Sequence, residues 1–88
     1  LLPGVPVWAV FDTSFHATLP EVAWRYAIPR ELGDRGLRRY GFHGTSHAYV
    51  SRRLLELLGR PAQGSRLVVC HLGAGCSATA VRDGASVD

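Results

Sequence analysis

Residues 38–58 read RRYGFHGTSHAYVSRRLLELL, and this stretch decides the fold. From Ser46 onward its apolar residues recur at helical spacing, which predicts an amphipathic helix. We expect Thr45 or Ser46 to cap the start of this helix and Gly59 to mark its end. His47 falls on the predicted apolar face, so we expect it to be buried. The apolar positions that define this face are Val50, Leu54, Leu57 and Leu58.

The segment before this helix contains one apolar run that ends in a carboxylate. Residues 6–12, PVWAVFD, predict a buried strand whose end delivers Asp12 to a crevice, where open α/β sheets place their ligands. A helical turn or two is expected over residues 21–27. The remainder of residues 17–41 is punctuated by proline and glycine and predicts loops.

After the helix, short apolar runs predict a meander of strands. Strands are expected over residues 67–72 and 77–81, joined by a turn at residues 73–75. Asp-Gly at positions 83 and 84 is a hairpin signal that predicts a further strand over residues 85–87. The order of elements indicates a mixed α/β fold.

Composition excludes several classes of protein. Hydrophobic residues make up 47% of the 88 residues and charged residues 19%, as in folded globular proteins. The longest apolar run falls far short of the roughly twenty residues of a membrane span, so no membrane helix is expected. The net charge of +3 comes from scattered arginines without interleaved aromatics, so nucleic-acid binding is not favoured. Because the chain has no methionine, we expect it to be an internal piece of a longer protein.

The two cysteines indicate the cellular compartment of the protein. The spacing of Cys70 and Cys76 fits neither a zinc knuckle nor a disulfide scaffold. We expect both thiols to be buried and reduced, as in a cytosolic protein.

The segment FHGTSH can be interpreted in two ways. In one, Gly44 lets the backbone approach a ligand, the helix start offers free N–H groups to an anion, and His43 donates a hydrogen bond to a phosphoryl oxygen. In the other, the segment is a capped helix with two ordinary histidines. A zinc site is disfavoured because H-G-T-S-H lacks the glutamate of H-E-x-x-H.

Two further features bear on phosphate chemistry. The glycines of CHLGAGCS lie between strands, so they match neither a Rossmann nor a Walker A motif. They can form a nest of N–H groups around phosphate or be a plain tight turn. A haloacid dehalogenase type of phosphatase would carry a second aspartate where this chain has Ser14, which disfavours that class.

Three blocks together resemble the acetate kinase (acetokinase) family, in order and at natural spacing: VFDTSFHATLP, RRYGFHGTSHAYVSRR and HLGAGCSATAVRDGASVD. The resemblance implies a two-domain α/β kinase of the actin, sugar kinase and Hsp70 superfamily, with an RNase H-like fold. It implies a homodimer that transfers phosphate between ATP and acetate with Mg²⁺. Residues 1–65 would then end the N-terminal domain, and residues 66–88 would begin the C-terminal one.

The resemblance also implies roles for individual residues. Asp12 matches the active-site aspartate, and His43 matches the histidine that stabilises the transition state. His47 is expected to support the site structurally, and the role of the pair Arg38 and Arg39 stays open. No metal ligand is expected within this stretch. The residues expected to bind the ATP phosphates are His71, Leu72, Gly73, Ala74 and Gly75.

One departure from the family's pattern concerns the phosphate loop. Many relatives have Asn where this chain has Ala74, so the loop would bind through backbone N–H groups and His71. The alternatives are a propionate or butyrate kinase of the same superfamily, or a non-catalytic nucleotide-binding module of the Hsp70 or actin kind. Transfer assays would separate them.

Overall fold

A computed structural model describes residues 2–88 as an irregular first half followed by one long helix and a small sheet. The helices are the 3₁₀ helix Ser14–Thr18, α1 Glu21–Trp24, α2 Arg30–Asp34 and α3 Gly44–Leu58. The strands are β1 Arg66–Leu72, β2 Cys76–Arg82 and β3 Ala85–Ser86.

Helix α3 confirms the predicted helix, with a difference at its start. It begins at Gly44, and its N-cap is His43, whose side chain makes no capping hydrogen bond. The cap predicted at Thr45 or Ser46 is therefore wrong. The helix ends as predicted at Gly59, which adopts the left-handed conformation common at helix C-termini.

The buried face of α3 differs from the predicted one. His47 is fully buried, as expected, but the predicted apolar stripe is 38% to 68% exposed. The 3₁₀ helix and β1 pack against a neighbouring face of α3, which is mostly small or polar. The buried residues of α3 are Gly44, His47, Ser51 and Leu55.

The three strands confirm the predicted meander. They form an antiparallel sheet in the order β1-β2-β3. Residues 73–75 link β1 to β2, and residues 83 and 84 link β2 to β3. Asp83 and Gly84 have φ angles of 54° and 82°, the geometry of the two-residue turns that fit twisted hairpins.

Three further expectations about local structure are wrong. Residues 6–12 form no strand, because no strand within residues 2–88 pairs with them and a lone strand leaves its backbone groups unpaired. Residues 30–34, predicted as loop, form α2. Cys70 and Cys76 are free, as predicted, but exposed rather than buried.

The core between α3 and the sheet is small and polar. Of the hydrophobic side chains in the described chain, only Leu19, Leu55, Val69 and Val81 are buried. Five polar residues are buried beside them, and buried polar groups need hydrogen-bond partners. These residues are His16, His47, Ser51, Thr79 and Ser86. None of the described helices has both the length and the apolarity to cross a membrane.

Candidate active site

The four histidines of the chain converge between α3 and the sheet. The rings of His43 and His71 stack with centroids 4.0 Å apart and planes 13° apart. His47 contacts both His16 and His71 edge-on, with centroids 5.8 and 6.4 Å apart. The four imidazole rings thus form one cluster.

Asp12 is bound to the start of α3 by two hydrogen bonds. The backbone N–H of His43 donates to Asp12 Oδ2 at 2.6 Å, and the N–H of Gly44 donates to the Asp12 carbonyl oxygen at 2.8 Å. A Cβ at position 44 would overlap that carbonyl oxygen. Gly44 therefore allows the close approach of Asp12 rather than of a ligand.

This contact corrects one expectation. The helix start was predicted to offer free N–H groups to an anion, but two of its first donors bind Asp12. A carboxylate at a helix N-terminus is stabilised by these N–H groups and by the helix dipole. The anion at this position is thus the chain's own aspartate.

His43 is held in an unusual conformation. Its φ of 56° lies in the left-handed region, which non-glycine residues rarely occupy and which costs roughly 1–3 kcal/mol at functional sites. The hydrogen bond to Asp12 helps to hold this backbone in place. On the ring, Nδ1 lies 2.8 Å from Ser77 Oγ, and a Cβ at Gly75 would lie 3.0 Å from Nε2.

His47 is the most buried of the four histidines and is 0% exposed. Its Nε2 lies 2.7 Å from Ser77 Oγ, while Nδ1 has no hydrogen-bond partner among residues 2–88. Burial lowers the pKa of His47, and the neighbouring histidines lower it further, against a smaller opposite effect of Asp12. His47 is therefore neutral at pH 7, and its supporting role stays a prediction.

The predicted phosphate loop follows β1 beside this cluster. His71 Nδ1 lies 3.0 Å from Ser46 Oγ on α3, which fixes the ring at the start of the loop. The Gly73 N–H donates to the Gly75 carbonyl oxygen at 3.0 Å. Residues 72–76 are exposed, although the Gly73 N–H is already used within the turn.

Two residues at the site had no role in the sequence-based predictions. His16 is buried, with Nε2 donating to the Phe42 carbonyl oxygen at 3.0 Å and Nδ1 lying 2.9 Å from Ser86 Oγ. Ser77 lies within hydrogen-bond distance of two histidines. Neither residue has a sequence signal of its own, because its partners lie 26 or more positions away in the chain.

The predicted arginine pair separates in space. The Arg38 guanidinium lies 4.5 Å from the ring centre of Trp24 and 5.1 Å from that of Tyr40, in cation–π contact with both. Arg39 instead lines the cavity at the site and forms an ion pair with Asp88. Of the two, Arg39 is the one placed to meet an anion.

A cavity of about 490 Å³ lies at the centre of these residues, within the range of small-molecule sites. Its wall combines carboxylates, imidazoles, a guanidinium and several hydroxyls. The polar residues that matter here are Asp12, Arg39, His43, His47, Ser77 and Asp88.

The described chain offers only part of a metal site. It contains no group of three or more His, Cys, Asp or Glu side chains that could hold a metal ion. Mg²⁺ is commonly bound through one or two carboxylates, with water and substrate phosphates completing its coordination. Asp12 and Asp88, which both line the cavity, fit that kind of site.

Comparison with known proteins gives consistent results. The sequence profile of the acetokinase family matches residues 1–88. Over 89 aligned positions, the chain is 57% identical to the acetate kinase of Dictyoglomus thermophilum and 53% identical to those of Oceanobacillus iheyensis and Methanosarcina mazei. All of the chain is covered in each case, but the chain spans only 22% of the length of these relatives.

Two crystal structures resemble the chain over 90% of its length and 20% of their own. One is an acetate kinase from Porphyromonas gingivalis, with a TM-score of 0.86 and 48% identity. The other is a propionate kinase from Francisella tularensis, with a TM-score of 0.81 and 51% identity. Such kinases have an actin- and sugar-kinase-like α/β fold, so the predicted fold class is confirmed.

Proposed function

The chain belongs to the acetokinase family, and we propose that it contributes the histidine site of a kinase that transfers the γ-phosphate of ATP to acetate. The reaction is reversible and gives acetyl phosphate and ADP. The observation that carries this proposal is the hydrogen bond between Asp12 and His43 at the cavity beside the glycine loop. The His43 backbone N–H makes this contact, so that the Asp12 carboxylate and the His43 imidazole line one site.

His43 acts on the phosphoryl group in this proposal. Phosphoryl transfer needs positioning and stabilisation of charge on the equatorial oxygens more than covalent help from the protein. A fixed donor aimed at the developing charge provides that stabilisation. The contacts of His43 with Asp12 and Ser77 fix its backbone and ring, as such a donor requires.

Asp12 acts beside acetate, which accepts the phosphoryl group in this proposal. Carboxyl groups titrate near pH 4, so acetate is already ionised at neutral pH and needs no general base. Asp12 would bind Mg²⁺ or its water, or orient the attacking carboxylate. When bound, the metal would offset the negative charge of the phosphates and the two carboxylates.

The loop from His71 to Gly75 binds the ATP phosphates in this proposal. Leu72 and Ala74 have no side-chain donors, so recognition would depend on backbone N–H groups, on His71 and on the small size of Gly73 and Gly75. The exposure of residues 72–76 supports this assignment. Arg39, released from Asp88, would add a cation that suits phosphate or carboxylate.

The site would form between two domains, with residues 1–65 ending one and residues 66–88 beginning the next. Hydrogen bonds cross this boundary at the histidine site, where His43 and His47 bond to Ser77 and His71 bonds to Ser46. We further propose a homodimeric enzyme of the cytoplasm, where ATP is available. Exposed apolar residues such as Val7, Trp8 and Phe11, which are 70% to 85% exposed, support burial against further protein.

A chimeric enzyme tests the proposal. In it, residues 1–88 replace the matching segment of the Dictyoglomus thermophilum acetate kinase, which is 57% identical. We expect the chimera to phosphorylate acetate with ATP and Mg²⁺, with kcat within about tenfold of the parent enzyme. Loss of transfer in a chimera that folds and still binds ATP would contradict the proposal and favour a non-catalytic nucleotide-binding module.

A propionate kinase is the second candidate, because the Francisella tularensis propionate kinase is 51% identical with a TM-score of 0.81. Substrate preference must be measured on the complete protein that carries this sequence. Parallel assays with acetate, propionate and butyrate would compare kcat/KM. We expect the highest value for acetate, and a higher value for propionate would select the second candidate.

A further inference from the structure

We propose that Ser77 is a positioning residue that, together with His47, sets which nitrogen of His43 carries the proton. The inference rests on the proposed function, because it concerns how His43 comes to present a donor. Ser77 Oγ lies 2.8 Å from His43 Nδ1 and 2.7 Å from His47 Nε2. One hydroxyl therefore links the two histidines of the motif.

The direction of the two hydrogen bonds follows from counting protons. A serine hydroxyl has one proton to donate, so it donates to one imidazole and accepts from the other. If Ser77 donated to His47, the neutral His47 ring would carry its proton on Nδ1. That nitrogen is buried and has no partner among residues 2–88, and a buried N–H without an acceptor is costly.

The opposite direction avoids this cost. His47 then donates from Nε2 to Ser77, and Ser77 donates to Nδ1 of His43. His47 Nδ1 is left as an unpaired acceptor. Among buried backbone groups, unpaired acceptors are less rare than unpaired N–H groups, and we extend that preference to this ring. The lowered pKa of His47 keeps that nitrogen unprotonated at neutral pH.

The direction of these hydrogen bonds determines which nitrogen of His43 carries a proton at the cavity. With Nδ1 of His43 accepting from Ser77, the neutral ring carries its proton on Nε2. Nε2 lies beside Gly75, which lines the cavity together with His43. The chain from His47 through Ser77 thus leaves His43 with a donor at the position where the proposed function requires one.

The first test is kinetic and uses the chimera. Ser77→Ala should lower kcat by about 10- to 100-fold, which is the range known for residues that orient metal-binding histidines. The KM for acetate should change by less than about twofold, because the effect lies in the transition state. Ser77→Thr keeps the hydroxyl and should recover most of kcat. Ser65→Ala is the matched control, because the Ser65 hydroxyl is buried and has no hydrogen-bond partner in the described chain. Full activity of Ser77→Ala would overturn the proposal, as would equal losses of kcat in Ser77→Ala and Ser77→Thr.

The second test does not depend on activity. ¹⁵N NMR of histidine-labelled chimera, assigned with His43→Gln and His47→Gln, reports which nitrogen of each ring is protonated. We expect Nε2–H for both His43 and His47, and we expect Ser77→Ala to shift Nδ1 of His43 toward an unbonded acceptor. A protonated Nδ1 on either ring at pH 7.5 would overturn the proposal. If the chimera has this pattern but transfers no phosphate, the proposed function fails and the positioning of His43 stands.

Discussion

The Asp12 carboxylate accepts a hydrogen bond of 2.6 Å from the backbone N–H of His43, while the Asp12 carbonyl oxygen accepts one from Gly44. The aspartate therefore caps α3 from a distant part of the chain. The same contact holds His43 in its left-handed conformation. A change at Asp12 can act through its charge or through this cap, and the two effects can be separated.

Asp12→Asn separates them. The Asn side-chain oxygen can still accept from the His43 N–H, so the cap is kept and the negative charge is lost. We expect kcat of the chimera to fall by about 10²-fold, as for the loss of one preorganised electrostatic partner, with little change in the denaturation midpoint. Asp12→Ala should lose activity and, in addition, about 0.5–2 kcal/mol of stability, the typical effect of removing an N-cap. Near-normal turnover and unchanged Mg²⁺ dependence of Asp12→Asn would show that the charge has no role.

Gly44→Ala tests the close approach of Asp12 to α3. The added Cβ would overlap the Asp12 carbonyl oxygen, so the backbone must move. Overpacking of this kind costs about 1–3 kcal/mol. Thr45→Ala is the control, because Thr45 is exposed on the next position of the helix. Urea denaturation of the chimera should show a loss for Gly44→Ala and almost none for Thr45→Ala, and equal midpoints would contradict the contact.

The pKa of His47 predicts how stability depends on pH. Burial lowers this pKa below its ordinary value of 6.5, so the unfolded state binds more protons than the folded state at pH values just below 6.5. The contribution of neutral His47 is complete above that pH and is lost as the pH falls toward the folded-state pKa. The chimera should be less stable at pH 5.5 than at pH 7.5. His47→Gln keeps a donor in the place of Nε2 but does not titrate, so this pH dependence should weaken; an identical dependence would contradict the assignment.

The 88-residue chain on its own should not fold cooperatively. Only four hydrophobic side chains are buried within the described residues, whereas Val5, Val7, Trp8, Val10 and Phe11 are 54% to 85% exposed. A core this small rarely stabilises a domain. Calorimetry of the isolated chain should show a broad, weak transition, and assays should detect no ATP turnover. A single sharp transition with turnover would contradict this prediction.

Local sequence signals predicted the elements whose determinants are adjacent in the chain. The strands of residues 66–86, the hairpin turn at Asp83 and Gly84 and the helix end at Gly59 all depend on neighbouring residues. The contacts that define the site depend on distant ones. Asp12 reaches His43 across 31 positions, and Ser77 reaches His43 across 34, so no local pattern could reveal the cap or the histidine pair.

The buried face of α3 could not be predicted from local sequence either. The apolar stripe of α3 at Val50, Leu54 and Leu57 is real in the sequence, but the sheet packs on the face that contains His47 and Ser51. Periodicity gives the faces of a helix and does not say which one meets the sheet. His47 was placed correctly because it lies close to both faces.

The strand predicted over residues 6–12 was wrong for a related reason. Its apolar residues fit a strand, but no partner strand lies within the part of the chain that the structure describes. A strand is defined by its neighbour, and composition alone does not supply one.

The most direct test of the account is the turnover of His43→Ala in the chimera. We predict that kcat for ATP-dependent acetate phosphorylation falls by about 10²-fold or more while KM for acetate changes little, because the lost donor acts in the transition state. An effect confined to KM, or a kcat within about twofold of the unsubstituted chimera, would remove His43 from the chemistry and contradict the account.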